Sequence, residues 1–215
     1  MVKLSSTEEE YTEFLSSLWA TYKNLFIIGL LVVGVGIVGY EYWSKAKINN
    51  LQDSSDLYES FVDSLNNSED NENDIAKKII QTHPKTLYAD LVTLHLAKIQ
   101  VDQNNLDEAK IQLEWILEKH SSKWFEDFNP IESITRLRLA KVLIAKDNPS
   151  EALVIITKST NMNASLFEAR GDAEEKLGRI EQAKLSYLKA IESTESTSVK
   201  GLINMKLANL NIEEK

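Results

Sequence analysis

The sequence predicts an all-α protein: a single membrane-spanning helix near the N-terminus, then an array of helical hairpins. Three observations carry this. An uncharged apolar run occupies Asn24 to Tyr40. Breakers are scarce elsewhere: the chain holds 7 Gly and 3 Pro, and Gly29, Gly34, Gly36 and Gly39 all lie inside that run, which leaves too few for the turns of a β-rich fold. Downstream, small residues recur in pairs at a fixed spacing, as stacked hairpins require.

The apolar run reads NLFIIGLLVVGVGIVGY, with Lys23 and Glu41 as the nearest charges. Its 17 residues make roughly 25 Å of helix at 1.5 Å per residue, near the lower limit for spanning. The flanks lengthen it. Trp19 and Tyr22 precede it, and Tyr40, Tyr42 and Trp43 follow, an aromatic belt at each end. Its Leu, Ile, Val and Phe residues together supply roughly −3 to −7 kcal/mol of insertion free energy. A cleaved signal peptide is disfavoured by the acidic stretch Glu8, Glu9, Glu10 and Glu13 where a basic one is needed. Gly29, Gly36 and Gly39 lie near one face, where the backbone of a partner helix could approach; glycine is also common in membrane helices without that role. Lys3 and Lys23 on one side balance Lys45 and Lys47 on the other, so charge leaves the orientation open.

Beyond Trp43, helix follows helix. Tyr88, Leu91, Val92, Leu96 and Ile99 share a face over Tyr88–Asp102; after Gln103-Asn104-Asn105, Leu106, Ala109, Leu113, Ile116 and Leu117 share another. The pair recurs. Ala97 precedes Ala109, Ala140 precedes Ala152 and Gly171 precedes Ala183, each by 12 positions, with Leu113, Ile156 and Tyr187 four residues further on. Small residues at these places let the two helices of a tetratricopeptide (TPR) hairpin cross closely. The spacing between successive units is 43 and then 31 residues, so one connection is expanded, and it holds Trp124, Phe125, Phe128 and Pro130. Leu51–Leu65 and Asp74–Gln81 read as a degenerate first pair around the polar loop Asn66–Asn73, and Val199–Leu210 as a capping helix.

Composition excludes several functions. The net charge of −9 and the lack of a basic cluster argue against nucleic acid. Without cysteine there is no disulfide, thiolate metal site or thiol nucleophile. Asp70, Glu72 and Asp74 alternate like a calcium loop, but Ile75 stands where glycine is needed and Gln81 where the bidentate glutamate belongs. His83, His95 and His120 have no ligand spacing, and no phosphate-loop or nucleophile-elbow motif occurs. Arg170-Gly171-Asp172 spells an integrin-type tripeptide whose glycine the repeat already explains. No catalytic, cofactor or metal residue is expected, and the chain reads as a non-enzyme.

Two surfaces remain. Trp115, Trp124, Phe125 and Phe128 either pack the expanded connection or bind an apolar segment. In a TPR array the first helix of each hairpin lines the concave face. Leu94, Lys98, Leu137 and Lys141 fall there, either as a partner-binding groove or as interhelix packing with solvated cations.

An acidic tail, the stretch VGVGIVGYEYW (Val33–Trp43), then YADLVTLHLAKIQVDQNNLDEA (Tyr88–Ala109), ITRLRLAKVLIA (Ile134–Ala145), RGDAEEKLG and MKLANL (Met205–Leu210) together resemble the YfgM-like ancillary subunit of the bacterial Sec translocon. The resemblance implies a single-pass bacterial inner-membrane protein: a cytoplasmic tail over 1–23, the transmembrane helix and its aromatic flank over 24–43, and a TPR-like periplasmic domain over 44–215. It further implies association with the Sec channel and the membrane-anchored chaperone PpiD, and passage of emerging, unfolded polypeptides to periplasmic chaperones. The alternatives are a TPR scaffold of another cell-envelope complex, such as cell-division or cell-wall machinery, and an adaptor facing the cytoplasm.

Overall fold

The computed structural model describes residues 6–67, 71–120, 130–159 and 161–213. Among these, the regular structure is helix: α1 (Ser6–Asn67), α2 (Glu72–Thr82), α3 (Leu87–Asp102), α4 (Leu106–His120), α5 (Pro130–Ala145), α6 (Pro149–Thr157), α7 (Ala164–Lys176), α8 (Ile180–Glu192) and α9 (Thr197–Glu213). The chain divides into two compact units, Met1–Asp53 and Ser54–Lys215.

The first unit is helical from Ser6 onward and has one segment long and apolar enough to cross a membrane, with the side chains from Leu25 to Val38 exposed. α1 continues through the boundary to Asn67 without interruption. The apolar run and the first helix of the degenerate pair are thus one helix, because SKAKINN after Trp43 offers neither Gly nor Pro to stop it.

In the second unit each helix from α2 to α9 packs on the next, and α3, α5 and α7 also touch in series. That is the geometry of a solenoid whose first helices share one face. Phe61 of α1 is buried with Ala76, Ile79, Ala89 and Val92, so the C-terminal end of α1 and α2 complete the first hairpin. The crossing residues Ala97, Ala109, Ala140, Ala152, Gly171 and Ala183 are buried, as are Leu113, Ile156 and Tyr187. A Cβ at Gly171 would stand 2.5 Å from the Tyr187 ring, so only glycine fits there.

The hairpin turns repeat as well. Asn104, Asp147 and Gly178 have φ of 61°, 57° and 69°, each seven residues after the first small residue of its hairpin. In each turn the next residue donates its N–H five residues back: Asn105 to Gln100 at 2.7 Å, Asn148 to Leu143 at 2.8 Å and Arg179 to Glu174 at 2.9 Å. The left-handed residue itself donates three back, to Val101, Ile144 and Glu175. These are Schellman ends, which satisfy the last carbonyls of the first helix and set the reversal angle. Helix starts are equally specified. Thr86 and Asn163 accept the N–H groups of Ala89 and Leu166, and proline opens α5 and α6.

Candidate functional site

The shared face of α3 and α5 carries the four residues expected in the groove, and the structure separates them into two pairs. Leu94 is 5 % exposed and belongs to the core; Leu137 is half-buried against that core. Lys98 and Lys141 are exposed, and both line one cavity of about 350 Å³ between α3, α4 and α5. Its walls are Ala97, Val101, Leu106, Leu113, Val142 and Ala145. The rim therefore holds the cations, and the apolar anchor surface comes from residues other than the two leucines.

A third cation joins them. Arg138 lines the cavity, and its Nη1 donates to the Leu94 carbonyl at 2.9 Å, which ties α5 to α3. Sequence reasoning passed over it, although its place one helical turn before Lys141 puts the two on the same face. Lys98 stands 4.0 Å from Asp102, both well exposed, a pairing that leaves Lys98 available. Among the described residues Lys141 makes no ion pair. The field of this cluster reaches His95: burial holds its imidazole pKa below the ordinary value, Glu72 opposes that shift, and Lys98 and Arg138 reinforce it. Three cations around an apolar hollow, in a chain of net charge −9, suit a segment with carboxylates and apolar side chains.

The other sequence candidates fall elsewhere. A Cβ at Gly29, Gly36 or Gly39 would meet nothing, so this face is open; the shallow apolar concavity on α1 includes Gly39 but gathers Gly34, Leu31, Val35 and Val38 around it. Trp115 is half-buried with the Lys119 ammonium 5.0 Å from its ring centre, while Trp124, Phe125 and Phe128 lie outside the described residues, as does Asp70. Glu72 and Asp74 sit in the first turn of α2, where acidic residues favour a helix start. His120 pairs with buried Asp90 at 2.9 Å beside Lys119, and His95 meets the Phe61 ring edge-on at 5.3 Å. Among the described residues no group of three or more His, Asp or Glu is placed to hold a metal.

Arg170-Gly171-Asp172 lies inside α7 and is used internally. Tyr187 Oη is 2.7 Å from Asp172 and 2.6 Å from Glu175; Lys206 of α9 reaches Asp172 at 2.6 Å and Glu168 at 2.8 Å. Burial, then the two carboxylates, push the Tyr187 phenol far above its ordinary range. Burial opposes ionisation of Lys206, but Asp172 and Glu168 outweigh it and raise its pKa.

Comparison with known proteins agrees with this architecture. The family model for the tetratricopeptide repeat-like domain matches residues 16–212. The chain belongs to this family. Its match begins before the apolar run, so the family includes the N-terminal helix as well as the hairpins. Relatives named "Ancillary SecYEG translocon subunit" occur in Buchnera aphidicola from Acyrthosiphon pisum (28 % identity; 87 % of this chain, 95 % of the relative) and in Escherichia coli K12 (23 %; 98 % and 100 %). Another, from Haemophilus influenzae, is 24 % identical over 96 % of this chain and 98 % of its own length. The resemblance read from the scattered motifs is thereby shown over nearly the full length.

Proposed function

We propose that this chain is a non-catalytic, membrane-anchored TPR adaptor of the Sec translocon that helps to pass emerging proteins to periplasmic chaperones. α1 anchors it through residues 24–43, residues 1–23 lie in the cytoplasm, and the repeat domain of residues 44–215 stands in the periplasm. Its partners in this reading are the Sec channel, the membrane-anchored chaperone PpiD and unfolded polypeptides leaving the channel. End-to-end similarity to relatives named as translocon subunits carries the proposal. The cavity edged by Lys98, Arg138 and Lys141 supports it, since an extended segment can place apolar side chains in the hollow and carboxylates on the rim.

The test is crosslinking in intact membranes followed by co-purification in mild detergent. The Sec channel and PpiD should be recovered with the wild-type chain and lost, together with emerging polypeptides, from the Lys98→Glu/Lys141→Glu variant at unchanged helicity. Full recovery by that variant would remove the cavity from the reading; recovery of a cell-division or cell-wall complex instead would replace the reading itself. Protease added to spheroplasts should digest the repeat domain, and its protection until lysis would reverse the topology.

A further inference from the structure

The N-terminal side of α1 is not a featureless tail. Tyr11, Phe14, Leu15, Leu18, Trp19 and Tyr22 are exposed, and at about 100° per residue they fall within one arc of roughly 140°. Thr12, Glu13, Ser16, Ser17, Ala20, Thr21, Lys23 and Asn24 fill the remaining arc. Leu25 and Phe26 continue the stripe in phase, with Trp19 and Phe26 ring centres 5.9 Å apart. From Ile27 to Tyr40 the helix is uncharged and apolar all round. A one-sided stripe marks a surface element, whereas an all-round apolar helix marks immersion, so the change dates the exit from the bilayer to this point. Tyr11 lies 13 residues before Asn24, about 20 Å further along the axis at 1.5 Å per residue.

We propose that this stripe is a docking face for a protein partner that presents an apolar groove with a basic rim, on the N-terminal side of the membrane. Two observations choose a protein over the lipid surface. First, helices that lie on membranes carry Lys and Arg on the polar face, attracted by anionic lipid. Here the segment before the span holds Glu8, Glu9, Glu10 and Glu13 against Lys3 and Lys23. The hydroxyls of Ser16, Ser17 and Thr21 are turned onto carbonyls of their own helix at 2.8, 2.8 and 2.9 Å, so the charged groups of the polar face from Thr12 to Asn24 are Glu13 and Lys23, and the acidic excess comes from the sequence before Tyr11. Second, α1 runs from the stripe into the span without a break. The stripe therefore leaves the bilayer along the span's own axis and faces sideways, where a groove could receive it, instead of turning into the interfacial plane. The same acidity disfavours a second copy of the chain as the occupant. The inference rests on α1 spanning the membrane, but is independent of the cavity on α3 and α5.

The experiment places the photocrosslinking residue p-benzoylphenylalanine at Phe14 or Leu18 on the stripe, or at Ser16 on the polar face, in the full chain in its native membranes. Expected are crosslinks from Phe14 and Leu18, several-fold above Ser16, to one protein whose crosslinked peptide is apolar and flanked by Lys or Arg. Glu13→Lys should lower their yield about threefold, the scale of an exposed ion pair. The Lys98→Glu/Lys141→Glu variant should leave these crosslinks intact, so that this inference and the cavity fail separately. Crosslinks to lipid, to a second copy or to a peptide without basic flanks would overturn it, as would equal yields from the two faces or none.

Discussion

The hairpins α3–α4 and α7–α8 use one register for opposite ends. Counted from the first small residue, the next position is Lys98 in α3, Lys141 in α5 and Asp172 in α7. Four residues beyond the second small residue stand Leu113 and Tyr187. With Ala97 and Leu113 the crossing leaves a hollow edged by cations. With Gly171 and Tyr187 the ring takes that space, and its hydroxyl, Asp172 and Glu175 are sealed by Lys206 from α9. The last hairpin thus shows what occupancy of this position looks like: a following helix delivers a charge opposite to that on the groove. At Lys98 and Lys141 the sign is inverted, and among the described residues only the exposed Asp102, 4.0 Å from Lys98, answers it, which is the opening that the proposed acidic segment would use.

The contrast can be broken most sharply at Gly171. Gly171→Leu forces bulk into the Tyr187 ring and is expected to cost about 3 kcal/mol, the upper end of overpacking. Combining it with Tyr187→Leu should restore part of that loss, because the two side chains compete for one volume. Ala109→Leu and Ala183→Leu, at crossings already in close contact, should cost about 1–3 kcal/mol each. Thermal unfolding of the detergent-solubilised chain, read by helical circular dichroism, checks the series. A neutral result at all three positions would mean that the repeat register is wrong.

Much of this register was legible because small residues at helix crossings are a steric demand that leaves few substitutes. The hairpins from α3 to α8 and the inward Leu113, Ile156 and Tyr187 follow from it directly, while the apolar segment of α1 was legible from its uncharged run, Asn24 to Tyr40. Other features depend on information that periodicity does not hold. Asn104 and Asp147 take the left-handed conformation, yet either residue type is at home in an ordinary loop, so only Gly178 advertised its turn. Leu94 satisfies both the packing and the groove pattern, and tertiary contact decided for packing. Arg138 and Lys206 gain their roles from partners 44 and 34 residues away in sequence, beyond any local reading.

The closed end should also betray itself at high pH. Tyr187 titrates above its ordinary 10.0 and Lys206 above its ordinary 10.5. In both the folded state holds the proton more tightly than the unfolded state, so their contribution is present below pH 10 and is lost as pH rises through the folded values. The chain should therefore lose stability on the alkaline side. Tyr187→Phe should lower stability by about 1 kcal/mol near neutrality, the size of a buried hydrogen bond, and make the alkaline decline shallower. An unchanged alkaline limb in that variant would show that the phenol is not the titrating group.

The smallest effect lies at the open end, at His95. Burial chiefly, aided by Lys98 and Arg138 and opposed by Glu72, holds its pKa below 6.5. The neutral ring is favoured in the folded state, so its contribution is complete above pH 6.5 and falls as acid protonates the unfolded chain preferentially. The imidazole is only partly buried, so the acid-side loss should be slight, and His95→Gln should remove it. The ring is also a reporter. Lys98→Glu exchanges a repelling cation for an attracting carboxylate, so the imidazole proton resonances of His95 should titrate at higher pH than in the wild-type chain. An acidic segment bound at the rim should move them in the same direction, whereas Asp172→Asn, at the closed end, should not. A His95 titration indifferent to Lys98→Glu would separate the histidine from the cationic rim and weaken the electrostatic case for the cavity, while leaving the closed hairpin untouched.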